Sequence, residues 1–177
     1  GFINVLTARS PSRFLPQKKR LNITTYEVIP LTSEVGLIGW VNDSKPISQK
    51  IIDYRKKFGI QIDAEQSRSI VFAGGTMEKY EALPLPKKVE AFKQGFKMTQ
   101  ADDLAKVLFL ESTGSEQWLH RRINYTASLT MTSIAGYIIG LGDRHTNNIM
   151  MNEKPGKLVH IDFGDCFERA KLRNFLP

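Results

Sequence analysis

Asp143, His145, Asn148 and Asp162 are spaced along "GLGDRHTNNIMMNEKPGKLVHIDFGDCF", Gly140 to Phe167, in a pattern that could do chemistry. Within it, "IMM" and "KLVHI" read as short β runs joined by "NEKPG", whose Pro155 and Gly156 suit a turn, so the pattern predicts a hairpin. Asn148 falls just before the first strand and Asp162 just after the second, and antiparallel pairing brings those two ends side by side. An amide oxygen and a carboxylate meeting there are hard oxygen ligands. They suit Mg²⁺, which takes its other ligands from water and substrate phosphates. Asp143, placed upstream of Asn148 in an Asp-x-x-x-x-Asn interval, falls where a base can orient an attacking hydroxyl.

Simpler readings exist for each residue alone. Asp143 can cap a turn and Asp162 can cap the following segment. His145 and His160 with Asp143 make an alternative zinc set, which would leave Asn148 and the Asp-Phe-Gly unused. His160 reads as a structural hydrogen-bonding residue, His120 as a helix-surface or packing histidine and Cys166 as a small buried residue. The conjunction favours the catalytic reading, because the Asp-to-Asn interval followed by Asp-Phe-Gly is how kinases divide base and metal roles.

These groups need a scaffold, and the 177 residues, 41% hydrophobic, suffice for one core or slightly more. The net charge of +7 suits a polyanionic partner such as a nucleotide phosphate or an anionic membrane. A single cysteine cannot make an internal disulfide, and "GFINVLTARS" lacks a secretory pattern, so an intracellular setting is expected. The most apolar stretch, Ala127 to Gly142, is too short for a membrane span and reads as a buried helix.

Upstream, "ARSPSRFLPQKKR" is expected to be an exposed loop, and "NITTYEVIPL" with "VGLIGWV" a hairpin turning near "TSEVG". "SKPISQKIIDYRKKFG" predicts a helix with Ile47, Ile51, Tyr54 and Phe58 on one face, Ser44 as N-cap and Gly59 as stop. Gln61 to Leu85 reads as polar and irregular. "PKKVEAFKQGF" predicts a helix on Val89, Phe92 and Phe96, and "ADDLAKVLFLES" another. The longest helix is expected from Ser115 to about Ile139, amphipathic at Trp118, Arg122 and Tyr125, and stopped by Gly140 and Gly142.

Together, "GLGDRHTNNIMM", "HIDFGDCFE", "YEVIPLTSEVGLIGWV", "ADDLAKVLFLES" and "WLHRRINYTASLTMTSIAGYIIGLGDRH" resemble the phosphatidylinositol 3-kinase-related protein kinases, and among them the target-of-rapamycin branch. The resemblance covers nearly the whole chain. It implies an α+β, protein-kinase-like catalytic domain of the PI3/PI4-kinase type, with residues 1–41 a remnant of the small lobe and 42–177 a mostly helical large lobe. It further implies serine/threonine protein kinase activity in nutrient and growth signalling, with ATP and Mg²⁺ or Mn²⁺ as cofactors and proteins as substrates. By the same resemblance, Asp143 is the catalytic aspartate, His145 stabilises charge near the transferred phosphate, and Asn148 and Asp162 hold the metal. Trp40 and Val41 match the hinge that meets adenine, and Tyr26, Ile38, Met150 and Ile161 match other walls of the cleft. From composition alone Trp40 reads instead as a core tryptophan in a strand.

The resemblance also implies partners. Residues 60–97 correspond to an insertion that docks a small WD-repeat propeller subunit, and scaffold subunits of a TOR-type complex would complete the assembly. A cytoplasmic location, at endomembrane surfaces, goes with that reading, and no nucleic acid is expected. Thr146 departs from the family's usual proline after the histidine. A Gly-rich phosphate loop and its lysine fall outside the pattern of these 177 residues, so the isolated piece is expected to be inactive. Alternatives are a phosphoinositide kinase, against which "DCFERAKLRNFLP" lacks a compact basic run, a small-molecule phosphotransferase, and an inactive nucleotide- or partner-binding module.

Overall fold

The computed structural model describes residues 22–97, 99–167 and 169. The chain divides into two compact units, 1–49 together with 108–177, and 50–107. The proline-rich loop expected at 8–20 lies outside the described residues.

In the first unit, β1 (Val28–Pro30) and β2 (Gly36–Ile38) form the expected antiparallel hairpin with Ile29 opposite Leu37. Its turn closes through Leu31 N–H to Val35 O at 2.9 Å, and the Thr32 hydroxyl oxygen accepts from Val35 N at 3.0 Å. Every residue of both strands is exposed. A second sheet contains β3 (Ser44–Pro46), β4 (Ile149–Asn152) and β5 (Leu158–His160) in that order, all antiparallel. This corrects two expectations. The hairpin of β4 and β5 carries a third strand, and Ser44 belongs to that strand instead of capping a helix. Pro46 is tolerated there because β3 lies at the sheet's edge, where a missing donor costs little. Helix α1 (Ile47–Lys57) starts directly after it.

Met151, Leu158 and Val159 are fully buried and form the centre of this unit. We designate the four helices between α1 and the longest one α2 (Ala64–Phe72), α3 (Met77–Ala82), α4 (Leu85–Lys97) and α5 (Asp103–Leu110), and the longest α6 (Ser115–Ile138). On α6 the buried side chains are Arg121, Ser128 and Thr132; of the expected amphipathic set Trp118 and Tyr125 are half-buried and Arg122 is exposed. Arg121, Asn124 and Ser128 sit at i, i+3 and i+7, on one helical face. They hold the hairpin: Arg121 Nη2 donates to Glu153 O at 2.6 Å, Asn124 Nδ2 to Pro155 O at 2.9 Å, and the Ser128 hydroxyl oxygen accepts from Leu158 N at 2.9 Å. Gly156, at φ 71°, lies so close that a Cβ there would come within 3.1 Å of Arg121 O. The last turns of α6 are not buried throughout: Ile134, Tyr137 and Ile138 are exposed.

The second unit is helical. Gln61 to Leu85, expected to be irregular, contains α2 and α3, the latter capped by the Thr76 hydroxyl oxygen accepting from Lys79 N at 3.3 Å. Both escape a search for apolar stripes because α2 carries serines, Gln66 and Arg68 among its few apolar residues and α3 spans only six residues. The contact between α2 and α4 uses small residues. A Cβ on Gly95 would lie 2.6 Å from Ser69 Oγ and 2.9 Å from Glu65 O, so only glycine permits that approach. Ala91 and Gly95 are therefore the buried residues of α4, while Val89, Phe92 and Phe96, the expected packing face, are exposed. Gly59, at φ 65°, ends α1 as expected.

Arg55, 8% exposed, ties the unit together. Its guanidinium donates to both Glu65 carboxylate oxygens at 2.8 and 2.5 Å, to Asp103 Oδ2 at 2.7 Å and to Ile62 O at 2.5 Å. Those bonds hold the guanidinium charged well above its ordinary value, and the Arg55 bond holds the Glu65 carboxyl below its own.

Candidate active site

Helix α6 stops as its glycines predict. Leu141 N–H bonds to Gly136 O at 2.9 Å and Gly140 N–H to Tyr137 O at 3.2 Å, with Gly140 at φ 58°. That is the Schellman ending, and it turns the chain into the loop that carries Asp143, His145 and Asn148.

The loop brings the expected residues together. Asp143 has φ 55° and Asp162 φ 57°, the left-handed region that ordinary residues enter at a cost of about 1–3 kcal/mol. Asn148 is buried; its Nδ2 donates to Asp143 O at 3.1 Å, and its own N–H bonds to His145 O at 3.0 Å. With the amide nitrogen so engaged, Oδ1 is the side-chain atom left to act as a ligand. The hairpin register then does what the sequence predicts: Ile149 pairs with His160, and Ile161 N–H reaches Asn148 O at 3.1 Å. Asp162 is therefore one residue beyond a partner of Asn148. Its Oδ1 accepts from Gly164 N at 3.2 Å.

His145 lies with Nε2 3.7 Å from Asp143 Oδ1, too long for a hydrogen bond. Its Nδ1 accepts from Asn147 N–H at 3.2 Å, which leaves Nε2 to carry the proton in the neutral ring. Thr146, in the position where the resembling family has proline, keeps its carbonyl in use: Ser48 N–H bonds to it at 3.4 Å, and the Ser48 hydroxyl bonds to Asn147 Oδ1.

As a donor set, Asn148 and Asp162 supply oxygen only. Two hard oxygen ligands fit Mg²⁺ or Mn²⁺ shared with nucleotide phosphates, not a protein cage. Among the described residues no group of three or more His, Cys, Asp or Glu is arranged to hold a metal ion, which removes the zinc arrangement of His145, His160 and Asp143.

Of the residues expected to wall the cleft, Met150 lies on β4 two residues after Asn148 and Ile161 bonds to Asn148, both half-buried. Burial raises the pKa of the Tyr26 hydroxyl, with opposing charge effects from Arg144 and Asp162, so Tyr26 is within electrostatic reach of the site. Ile38, Trp40 and Val41 belong to the other hairpin and its exit. Trp40 is 84% exposed, so it is not a core residue of this chain. A cavity of about 430 Å³ adjoins the site, lined by Tyr26, Val28, Thr132, Ile139, His160 and Phe163 among others. His160 is buried, yet its Nε2 has no hydrogen-bond partner among the described residues, contrary to the hydrogen-bonding role expected of it. Burial and the positive Arg144 lower its pKa and hold the ring neutral. Cys166 is half-buried, less enclosed than expected, and His120 lies exposed on α6 as expected.

Arg144 is the residue that motif reasoning passes over. Its Nε donates to Gly142 O at 2.8 Å, Nη1 to Ile161 O at 2.8 Å and Nη2 to Asp162 O. All three acceptors are carbonyls, so no side-chain pattern in the sequence marks them. The only signal is an arginine placed between the aspartate and the histidine.

With this geometry in view, similarity to known proteins is informative. The chain is 45% identical over its full length to "Serine/threonine-protein kinase mTor" of Drosophila melanogaster and 42% identical to "Serine/threonine-protein kinase TOR" of Arabidopsis thaliana, in each case covering 7% of the relative. The chain thus spans a small part of the length of these relatives. A solved structure, "FAT and kinase domain of CtTel1", superposes on 89% of this chain and 11% of its own with a TM-score of 0.69 at 25% identity. Residues 6–175 match the family model described as "Phosphatidylinositol 3- and 4-kinase". Since that match takes in the catalytic loop, the hairpin and nearly all the rest, the chain belongs to the phosphatidylinositol 3- and 4-kinase family.

Proposed function

We propose that this chain is part of the catalytic domain of a serine/threonine protein kinase of the target-of-rapamycin type, moving the γ-phosphoryl group of ATP to protein hydroxyls in growth signalling. The reading rests above all on one observation: the hairpin register sets Asn148 and Asp162 at its open end while Asn148 Nδ2 grips the carbonyl of Asp143. The protein-kinase branch is favoured by 41–45% identity to proteins named serine/threonine-protein kinase in several species.

In this reading Asp143 accepts the proton of the attacking hydroxyl, or orients it by a hydrogen bond. His145, its Nε2 carrying a proton and half exposed, donates toward charge developing on the transferred phosphoryl. Asn148 Oδ1 and the Asp162 carboxylate hold Mg²⁺ or Mn²⁺, whose chemistry when bound is to neutralise phosphate charge. Tyr26, Ile38, Trp40, Val41, Met150 and Ile161 wall the adenine site, which accounts for an indole as exposed as Trp40's in this chain. Residues 1–41 belong to the small lobe and 42–177 to the large lobe.

The insertion at 60–97 is proposed to receive a WD-repeat subunit, with scaffold subunits elsewhere in the complex. Support comes from its exposed apolar face, Val89, Phe92 and Phe96 on α4. A cytoplasmic setting at endomembrane surfaces accompanies this reading; among the described residues no helix is long and apolar enough to cross a membrane. The description of the matching family keeps a second reading in play, phosphorylation of a phosphoinositide.

The test uses the intact kinase. Asp143→Ala and Asp162→Asn should each lower kcat by about 10³-fold or more on a protein substrate, while Cys166→Ser leaves it unchanged. Near-normal turnover in either aspartate variant overturns the assignment, and phosphorylation of phosphatidylinositol vesicles in preference to protein selects the second reading.

A further inference from the structure

We infer that Arg144 is a positioning residue that joins the backbones of Asp143 and Asp162, so that both carboxylates are set before a metal–nucleotide complex arrives. The inference deepens the proposed function and rests on its reading of Asn148 and Asp162 as metal ligands.

The argument is geometric. Gly142 O belongs to the peptide that carries the Asp143 N–H, Ile161 O to the peptide preceding Asp162, and Asp162 O to the peptide following it. Through bonds to these three carbonyls, one guanidinium restrains the entry to Asp143 and both peptide planes flanking the Asp162 Cα. Asp143 and Asp162 both have a left-handed backbone that needs outside support, at φ 55° and 57°. The guanidinium carbon also lies 5.9 Å from the centre of the Phe163 ring, which extends the grip to the residue after the ligand.

Arginine is the side chain suited to this task. Its five donors lie in one plane at fixed angles, so three carbonyls arriving from two loops are met at once. Lysine carries the same charge on a single nitrogen and cannot span that arrangement.

The experiment compares Arg144→Lys, Arg144→Ala and Asp162→Asn in the intact kinase, with two readouts besides activity. The first is Mn²⁺ affinity in the presence of ADP, followed by electron paramagnetic resonance; the second is amide hydrogen exchange. Arg144→Lys should weaken Mn²⁺ binding by about 10- to 100-fold, the usual effect of losing a group that orients a ligand. It should also raise exchange in 140–148 and 161–167 together while leaving β1 and β2 unchanged, and Arg144→Ala should do both more strongly. If Asp162→Asn loses Mn²⁺ while Arg144→Lys keeps wild-type affinity, the inference fails and the metal reading stands. Unchanged Mn²⁺ affinity in Asp162→Asn overturns the metal reading and this inference with it. A rise in exchange confined to one loop, or spread over the whole protein, makes Arg144 an ordinary structural residue and also overturns it.

Discussion

The two units weight arginine's bonds differently. In 50–107, Arg55 is enclosed by the carboxylates of Glu65 and Asp103, with Ile62 O as a further acceptor, and its grip is mainly charge against charge. Around the β4–β5 hairpin, Arg144 holds three carbonyls, Asn124 holds Pro155 O, and Arg121 holds Glu153 O beside its ion pair with Glu111. A carbonyl is part of the backbone and cannot swing away on a flexible stem, so bonding to it sets the chain's path directly. A carboxylate at the end of a side chain sets only the packing of the elements that carry it. The difference suits the contents of each unit: helices that need to stay packed in one, and left-handed loop residues that need their dihedral angles held in the other.

The largest effect expected from breaking this contrast lies at Arg55. Replacing it by methionine would keep most of the volume and strand Glu65 and Asp103 without their cation, a loss of about 3–5 kcal/mol. Amide exchange of α2 and α5 in the intact protein should rise by the corresponding factor while exchange of β5 stays put. Adding Glu65→Gln and Asp103→Asn should recover part of the loss, because neutral amides leave no buried charge behind. No recovery would show that the arginine acts by packing and not by charge.

A smaller effect is expected at Ser128, whose hydroxyl oxygen accepts the buried Leu158 N–H at 2.9 Å. Ser128→Ala leaves that donor without its partner inside the unit, at about 1–3 kcal/mol. The loss should appear as faster exchange at Leu158 and its β4 partner Met151. Thr130→Ala, which removes only an exposed hydroxyl bonded back to Thr126 O, should leave both amides alone.

The same contrast explains what could be read in advance. The hairpin, its turn, the glycine stop of α6 and the meeting of Asn148 with Asp162 are local or follow from pairing two adjacent strands, so residue type and spacing suffice. Carbonyl grips leave no trace in side-chain patterns, which is why Arg144 and the Arg121, Asn124, Ser128 row were missed in favour of Trp118 and Arg122. Apolar periodicity misled for a related reason at α4. It selects large side chains, whereas the close approach at Gly95 and Ser69 demands small ones, and the phenylalanines end up outside. Ser44 failed as a cap because pairing with Asn152 recruits it to a sheet whose other strands lie more than a hundred residues away. Tertiary pairing of that range overrides a local signal.

The smallest effect is the one that separates the units by pH. Glu65 is held below its ordinary value of 4.5, first by its bond to Arg55. A carboxylate with a lowered folded-state pKa binds fewer protons in the folded than in the unfolded chain, so its contribution is fully present above the unfolded value and lost as pH falls through the folded one. Between about pH 5 and pH 3 the Arg55 cluster should therefore weaken, and amide exchange of α2, corrected for the intrinsic pH dependence, should accelerate. The effect is modest because the Glu65 side chain is 23% exposed and water already screens part of the pair. Carbonyl acceptors do not titrate in that window, so the amides of Gly142 and Ile161, beside the Arg144 grip, should keep their protection. Parallel acceleration in both places would mean that the two arginines hold their surroundings by the same means, and the contrast would be gone.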